Sequence, residues 1–374
     1  MKIVVSGYIG KEITGIGRNI ISLLNATEST HEYVVYTNSD LKDEMIFTNK
    51  KVTVKLYNVS KSDSLRNLLW TTFIFPFKVL SEKADLAIIP NFTLLLLKFK
   101  PTIIFMHDLI EFNVPNKFSK LKMFYRTRLA DPISAKMANQ IITVSQNSKR
   151  DIEKFLHIKP TKIAVIYNGV ARQKFCPMPR EHAEKLLAAH GIFSDFLLYA
   201  GTIDHPGKNV LGVIKAFERL KEQNLYTGCL VLAGMPGSGY DIVADYVKNS
   251  SFSKEIIFMG FISDDELVAL FSLCRVFCFV SLYEGFGIPP LEALACGAKV
   301  VVSNTSSLPE VVGDVGWKVN PNSIDEIAEG IVNAISFNAD EQYISDVAAH
   351  LARFDWKTLS AQFEYILSMC DSNE

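Results

Sequence analysis

Ser281-Leu-Tyr-Glu-Gly-Phe-Gly-Ile-Pro-Pro-Leu-Glu-Ala-Leu-Ala-Cys-Gly297 is the segment through which the remainder of the chain is best understood. It follows Arg275-Val-Phe-Cys-Phe-Val280, a short apolar run rich in β-branched and aromatic residues that reads as a buried parallel strand. Gly285 and Gly287 allow a tight turn and a close backbone approach to a ligand. Pro289 and Pro290 suit the first turn of a helix, which Leu291 to Cys296 continue. Strand, glycine turn and helix N-terminus in that order suit an anion, phosphate above all.

Two carboxylates bracket the turn, Glu284 within it and Glu292 in the first helical turns. Carboxylates repel bare phosphate, so the ligand must also offer hydroxyls, as a nucleotide carrying a sugar does. The two glutamates by themselves also fit an ordinary αβ unit with acids near a helix N-terminus. Seven residues separate them, with Gly-Phe-Gly-Ile-Pro inside, and this pattern resembles the signature of retaining family-4 glycosyltransferases of the GT-B fold. The resemblance implies that Glu284 and the amides of Gly285, Phe286, Gly287 and Ile288 hold a donor sugar. It implies that Glu292 holds the ribose hydroxyls.

At 374 residues the chain exceeds one ordinary core, so two domains are expected. A composition 48% hydrophobic and 21% charged is globular. The net charge of −1 hides an asymmetry. Residues 1–175 hold 26 Lys+Arg against 14 Asp+Glu, and the remainder holds 13 against 26. The basic half either meets an anionic surface or substrate, or attracts the acidic half. Six cysteines without CxxC spacing suit reduced thiols, and seven histidines show no metal-ligand spacing. Met1-Lys2 runs directly into strand-like Ile3-Val-Val5, and no run reaches the ~18 apolar residues of a membrane span. A cytoplasmic protein is expected, either soluble or peripheral on the inner face of the cytoplasmic membrane.

The chain opens as strand Lys2–Ser6, a glycine turn Thr14-Gly-Ile-Gly-Arg-Asn19, a helix and strand Glu32–Tyr36, a Rossmann-like βαβ unit. Its Gly-x-Gly lacks the third glycine of a dinucleotide fingerprint. In the resembled family this loop abuts the donor diphosphate, which places Gly15 and Gly17 there; Arg18 beside them is a candidate cation to assist Lys208, an expectation separate from the resemblance. Strands follow at 52–56, 86–89, 102–106 and 140–144, alternating with helical stretches, so the sheet is mainly parallel. His107 directly follows a strand, at the sheet edge where open α/β sheets bind ligands. The resemblance puts it beside the reacting sugar, and puts Ser145 near the cleft. Residues 65–80 and 116–128 are apolar or aromatic with cationic punctuation. Each fits either a membrane interface or a helix packed on the sheet with a solvated basic face.

Residues 171–193 turn polar, with Pro177 and Pro179, and read as a linker. A second glycine turn, Gly201-Thr-Ile-Asp-His-Pro-Gly-Lys-Asn209, separates strand 195–200 from a helix. Lys208 is a compact cation suited to a diphosphate. It matches the family's lysine, and Gly201, Thr202 and Asn209 share its loop. Many family members carry Arg where this chain has Thr202 and Gly207, which leaves Lys208 a larger share of the phosphate charge. Strands 230–234 and 255–260 come next, and Phe261-Ile262 stands where the family's backbone reads the base. Ser263-Asp-Asp-Glu266 is a capping box, Lys299–Ser303 a strand, and 354–367 a closing amphipathic helix.

The expected architecture is α/β, GT-B, two Rossmann-like domains facing across a cleft. Residues 1–170 form the acceptor domain, 171–355 the nucleotide-sugar donor domain, and 356–374 a helix packing back on the first. The implied activity is retaining transfer of a sugar from a nucleotide diphosphate sugar to a glycan or lipid-linked acceptor in surface polysaccharide synthesis. Mannose from GDP-mannose leads, with rhamnosyl or glucosyl transfer from dTDP- or UDP-sugars as alternatives. An epimerase of the same shape or an NAD-dependent oxidoreductase is the reading from another class. His107, Lys208 and Glu284 are the expected catalytic residues. No cofactor, metal or nucleic acid is expected, because Lys208 and the loop amides supply the positive field that a metal would otherwise supply.

Overall fold

A computed structural model describes residues 1–7, 15–28, 30–37, 45–57, 69–90, 94–114, 119–192 and 195–371. The chain divides into two units, Met1–Gly169 with Trp356–Glu374, and Val170–Asp355.

The first unit is built on seven parallel strands: β1 Lys2–Ser6, β2 Glu32–Thr37, β3 Val52–Leu56, β4 Leu86–Ile89, β5 Thr102–Phe105, β6 Gln140–Thr143 and β7 Ile163–Val165. Their order is β3-β2-β1-β4-β5-β6-β7, every pairing parallel. β4 and β5 are buried at every position, as parallel strands covered on both faces must be. Side-chain alternation splits the core. Val4, Ile89 and Ile104 face one layer with Trp70, Phe75 and Val79, while Ile3, Val5 and Ile88 face the other with Ile20, Leu23 and Leu24. The closing helix, Trp356–Asp371, packs on that second layer through Leu359, Phe363 and Leu367, each four residues from the next on one stripe.

The second unit holds β8 Phe196–Ala200, β9 Cys229–Ala233, β10 Ile256–Gly260, β11 Val276–Phe279, β12 Val300–Ser303 and β13 Trp317–Val319. The order β10-β9-β8-β11-β12-β13 is again wholly parallel. The strand sequence reverses direction between β8 and β11. Such a switch point opens a crevice at the carboxyl ends of the strands, where α/β sheets bind ligands.

Four sequence expectations change. The helix Gly15–Ala26 already includes Gly15, Gly17 and Arg18, so those residues are not a turn; Thr14, with residues 8–13, lies outside the described residues. The polar stretch 171–193 is not a linker, because Arg180–Ala188 is a helix that buries Ala183 and Leu187. The closing helix starts at Trp356 rather than at 354. Asp355 is extended, and Phe354 lies in the second unit against Phe286. Strand β13 and the helices Ile324–Ser336 and Glu341–Leu351 fill a region for which the sequence suggested no elements.

Candidate active site

Lys208 and Glu284 come from the two loops that flank the β8–β11 switch point, and Lys208 Nζ lies 2.6 Å from Glu284 Oε1. Backbone and side-chain bonds bring these loops together. Leu282 N–H donates to the Gly207 carbonyl at 3.0 Å. Asn209 Nδ2 donates to the Val280 and Pro321 carbonyls at 3.2 and 2.7 Å. Asn209 therefore braces the loop, its amide hydrogens directed to protein carbonyls. Tyr199 Oη donates to the Thr202 carbonyl at 2.8 Å while its ring stacks on Phe279. Burial, reinforced by the charges of Glu284 and Asp204, holds the Tyr199 phenol well above its usual pKa, so it stays a donor. Lys208 Nζ also stands 5.5 Å from the Phe279 ring centroid.

The signature loop is braced by serines that the sequence reading passed over. Glu284 N–H donates to Ser306 Oγ at 3.1 Å. Ser307 Oγ lies 3.0 Å from the Glu284 carbonyl and 2.7 Å from that of Phe286, sharing one proton between them. A trans peptide points its N–H opposite to its C=O. The amides of Gly285 and Gly287 are thereby turned away from Ser307. Gly287 has φ 99°, and a Cβ there would meet Leu308 Cδ2 at 2.5 Å, so glycine is required. Phe286 is buried against Phe354 and contributes backbone only.

The helix Ile288–Ala295 is poorer in donors than its dipole suggests. Pro289 and Pro290 carry no N–H and so remove two donors from its first turn. Glu292 is partly exposed one turn further along.

Beside these loops, Gly201, Gly234, Met235, Phe261, Ile262 and Pro289 help line a cavity of about 190 Å³. That is smaller than the ~300–1,000 Å³ of a whole-ligand pocket, and it suits one planar part of a ligand. Phe261 is largely exposed at its mouth. Three larger depressions lie elsewhere, the smallest of about 450 Å³ and lined by Glu218, Tyr246 and Ser250. One of about 820 Å³ is lined by Asp195, Arg275 and Lys299, at the amino ends of the second sheet. One of about 1230 Å³ lies between β7 and the closing helix. None is lined by the loops at a switch point.

In the first unit His107 follows β5, and its Nε2 lies 3.1 Å from the Pro90 carbonyl. A carbonyl only accepts, so Nε2 carries the proton and Nδ1 presents a lone pair in the neutral ring. Burial lowers the His107 pKa to about 4, against the raising effect of the Pro90 bond. The ring is thus a neutral hydrogen-bond acceptor near pH 7, unsuited to act there as a cationic acid. Ser145 caps the helix Gln146–Leu156, accepting from Ser148 N–H at 2.9 Å, and is fully buried. Ser148 Oγ in turn donates to the His107 carbonyl at 3.0 Å. Ser145 therefore acts on His107 through the fold. Gly15 and Arg18 are exposed on their helix and Gly17 is buried.

Sequence reading also missed buried polar pairs whose partners are far apart in the chain. Asn19 Nδ2 donates to Asn168 Oδ1. Arg126 Nη2 lies 3.1 Å from Glu111 Oε1 just beyond His107, and burial, with Glu111 beside it, pushes the Asp131 carboxyl up to about 9. Neither pair has a spacing signature.

The low His107 pKa has a consequence for stability. The unfolded imidazole takes a proton near pH 6.5, and the folded one only near pH 4. This group's stability is complete above pH 6.5 and is lost as pH falls through the interval from 6.5 to 4, by roughly 3 kcal/mol at most. His107→Gln cannot titrate there. Its melting temperature should fall less than the wild type's between pH 7 and pH 5, measured by calorimetry.

Known proteins match this architecture. Residues 13–174 match the sequence profile described as Glycosyltransferase Family 4, and residues 186–349 that described as Glycosyl transferases group 1. The O-antigen chain mannosyltransferase B of Escherichia coli is 29% identical over 257 residues, covering 68% of this chain and 67% of that one. The O-antigen chain mannosyltransferase RfbU of Salmonella typhimurium is 25% identical over 359 residues, 94% of this chain and 95% of that one. The chain spans about a third of the length of the serotype-specific mannosyltransferases WbdA of E. coli that it also matches. Among solved structures, Anabaena HepE in complex with UDP superposes with a TM-score of 0.74 at 20% identity, covering 99% of this chain and 100% of that one.

Two Rossmann-like units with these two profile matches define a glycosyltransferase of the GT-B fold. The chain belongs to glycosyltransferase family 4, and within it to the hexosyltransferases.

Proposed function

We propose that the protein transfers mannose, with retention of configuration, from GDP-mannose to a glycan or lipid-linked acceptor in surface polysaccharide synthesis. The observation that carries this reading is the 2.6 Å Lys208–Glu284 pair beside the cavity at Phe261. As the anomeric carbon–oxygen bond breaks, negative charge grows on the departing diphosphate. Lys208 and the amides from Gly285 to Ile288 oppose that charge. Glu284 and Glu292 take hydroxyls of the sugar and the ribose, and the cavity takes the base. His107, neutral, accepts a hydrogen bond from a hydroxyl near the reacting carbon. Lys208 and the amides supply the positive field, so transfer needs no metal and survives EDTA. The names of the mannosyltransferase relatives support mannose. The UDP in the HepE complex favours a second reading, a UDP-sugar donor.

A thermal-shift panel of GDP, UDP, dTDP and ADP tests the donor. At a hundredfold excess over its Kd the right nucleotide stabilises by about 2.7 kcal/mol, which raises the melting temperature by about 3 °C. GDP should give the largest shift. A larger shift with UDP replaces the mannose reading by the second one, and no shift with any nucleotide overturns both.

A further inference from the structure

The first unit carries an exposed apolar surface that nucleotide-sugar chemistry does not use. The π-helical turn Trp70–Ile74 continues as helix Phe75–Ser81, and Trp70, Phe75 and Val79 enter the core on one face of the sheet. The other side of this helix shows water a stripe of Leu69, Phe73, Phe77 and Leu80, with Phe73 and Phe77 60% and 66% exposed. The helical run Lys120–Phe124, Tyr125–Ala130 and Asp131–Met137 covers the same sheet face, burying Ala135 in the same cluster. Its first five residues bury nothing, and Leu121 and Phe124 are 79% and 58% exposed. Lys120, Lys122 and Arg128 are exposed beside them, and no acidic residue occurs between Ser119 and Ala130.

Two helices laid on one sheet face turn their outer sides in the same general direction. Among the described residues these two helices, with Leu69, expose seven large apolar side chains once Leu129 is included. The described residues of the whole second unit expose six, of which Met235 and Phe261 line the cavity beside Pro289. Scattered apolar residues are ordinary, but such a concentration marks a binding surface. Aromatic and leucine side chains interleaved with cations are the composition of helices that lie in a membrane interface. The charge selects the partner. A second copy would set Lys120, Lys122 and Arg128 against their own kind, whereas an anionic bilayer neutralises them. The same sign extends over residues 1–175, with 26 Lys+Arg against 14 Asp+Glu.

We infer that these two helices dock the protein on the surface of a bilayer containing anionic lipid, Phe73, Phe77, Leu121 and Phe124 entering the headgroup boundary. This deepens the transferase reading by naming the surface on which a lipid-linked acceptor is met. The helix beginning at Lys120 leads from the carboxyl edge of β5, the edge that carries His107. Docking there brings the lipid plane to that end of the unit.

The test is co-sedimentation of the full chain with vesicles of phosphatidylcholine alone, and with an equal part of phosphatidylglycerol. The wild type should bind the mixed vesicles, weakly at high salt, and bind the neutral ones at least tenfold less. Leu121→Asp/Phe124→Asp and Phe73→Asp/Phe77→Asp should each lower binding about tenfold or more, and Lys120→Glu/Lys122→Glu should remove the preference for anionic lipid. All replaced residues are exposed, so unchanged melting temperatures check the fold. Sugar release from the donor into water should be unaltered in each variant. Failure of the wild type to bind, or equal binding by the variants, overturns the docking. So does a dimer that sediments as such in the wild type and dissociates in the variants. Vesicle binding without any nucleotide or sugar turnover would leave the docking intact and remove the transferase reading alone.

Discussion

Lys208→Ala should lower the rate of sugar transfer about 10²–10³-fold, the usual effect of removing one preorganised partner of a developing negative charge. The expectation is large because the site offers little else. Thr202 and Gly207 stand where further arginines would share the load, and Pro289 and Pro290 remove two helix-end donors. Lys208→Arg should recover only part of the loss, since a planar guanidinium does not reproduce a compact ammonium on a short reach. The pair with Glu284 adds a second expectation. The two side chains neutralise one another, so an approaching diphosphate does not meet a bare carboxylate. Glu284→Gln releases that partner and should also slow transfer. The effects of Lys208→Ala and Glu284→Gln should be less than additive, because each removes part of one unit. Initial rates with a nucleotide sugar and a soluble acceptor measure these three variants and the Lys208→Ala/Glu284→Gln double variant. Lys208 is about a third exposed, so the pair holds the fold weakly, by about 1 kcal/mol or less. Near-normal activity of Lys208→Ala would remove the proposed mechanism.

The fold was legible in the sequence because parallel sheets write themselves as short apolar runs. Val276–Phe279 and Val300–Ser303 are buried throughout, and each is followed by a polar or glycine-bearing turn. Where that contrast weakens, reading fails. Trp317–Val319 is only three residues long and half-exposed, and its place at the sheet edge comes from pairing with β12, which no local pattern encodes. The helix beginning at Gly15 reads as a turn in the sequence because glycine usually breaks helices. Phe354 was assigned to the closing helix by its apolar spacing, yet it serves the core of the other unit. Periodicity reports which side of an element is apolar, not which core receives it.

The site divides the same way. Glu284, Gly287 and Lys208 were visible because charge and backbone freedom demand particular residue types at particular spacings. Their supports were not. Ser306, Ser307 and Tyr199 act through backbone groups met only after folding, and any serine or tyrosine looks alike in a sequence. Ser145 shows the converse. A serine after a strand and before a helix is as good a cap as a ligand, and here its oxygen caps the helix while Ser148 reaches His107.

Gly234→Ala should empty the site without touching any charged group. Gly234 has φ 147°, and a Cβ there would lie 1.9 Å from the Gly201 carbonyl oxygen and 2.7 Å from its carbon. Both are backbone atoms, with no side chain to swing aside. The β8 loop must then move, and with it Thr202 and Lys208. Gly234 N–H donates to Gly260 and Gly201 N–H to Ala233, so the displacement spreads across the tops of three strands. Steric overpacking and the unfavourable φ should each cost about 1–3 kcal/mol of stability. The functional loss should be larger, at least a hundredfold in transfer, because an ångström of misplacement at Lys208 is enough. The nucleotide-dependent rise in melting temperature should vanish too, since Gly201 and Gly234 line the cavity given to the base. Gly191→Ala is the control. It also has a positive φ, 72°, but its Cβ meets nothing within 4 Å, so it should cost about 1 kcal/mol and leave nucleotide binding unchanged. A Gly234→Ala protein that still answers to nucleotide would show that the loops over β8 and β9 do not hold the donor's base.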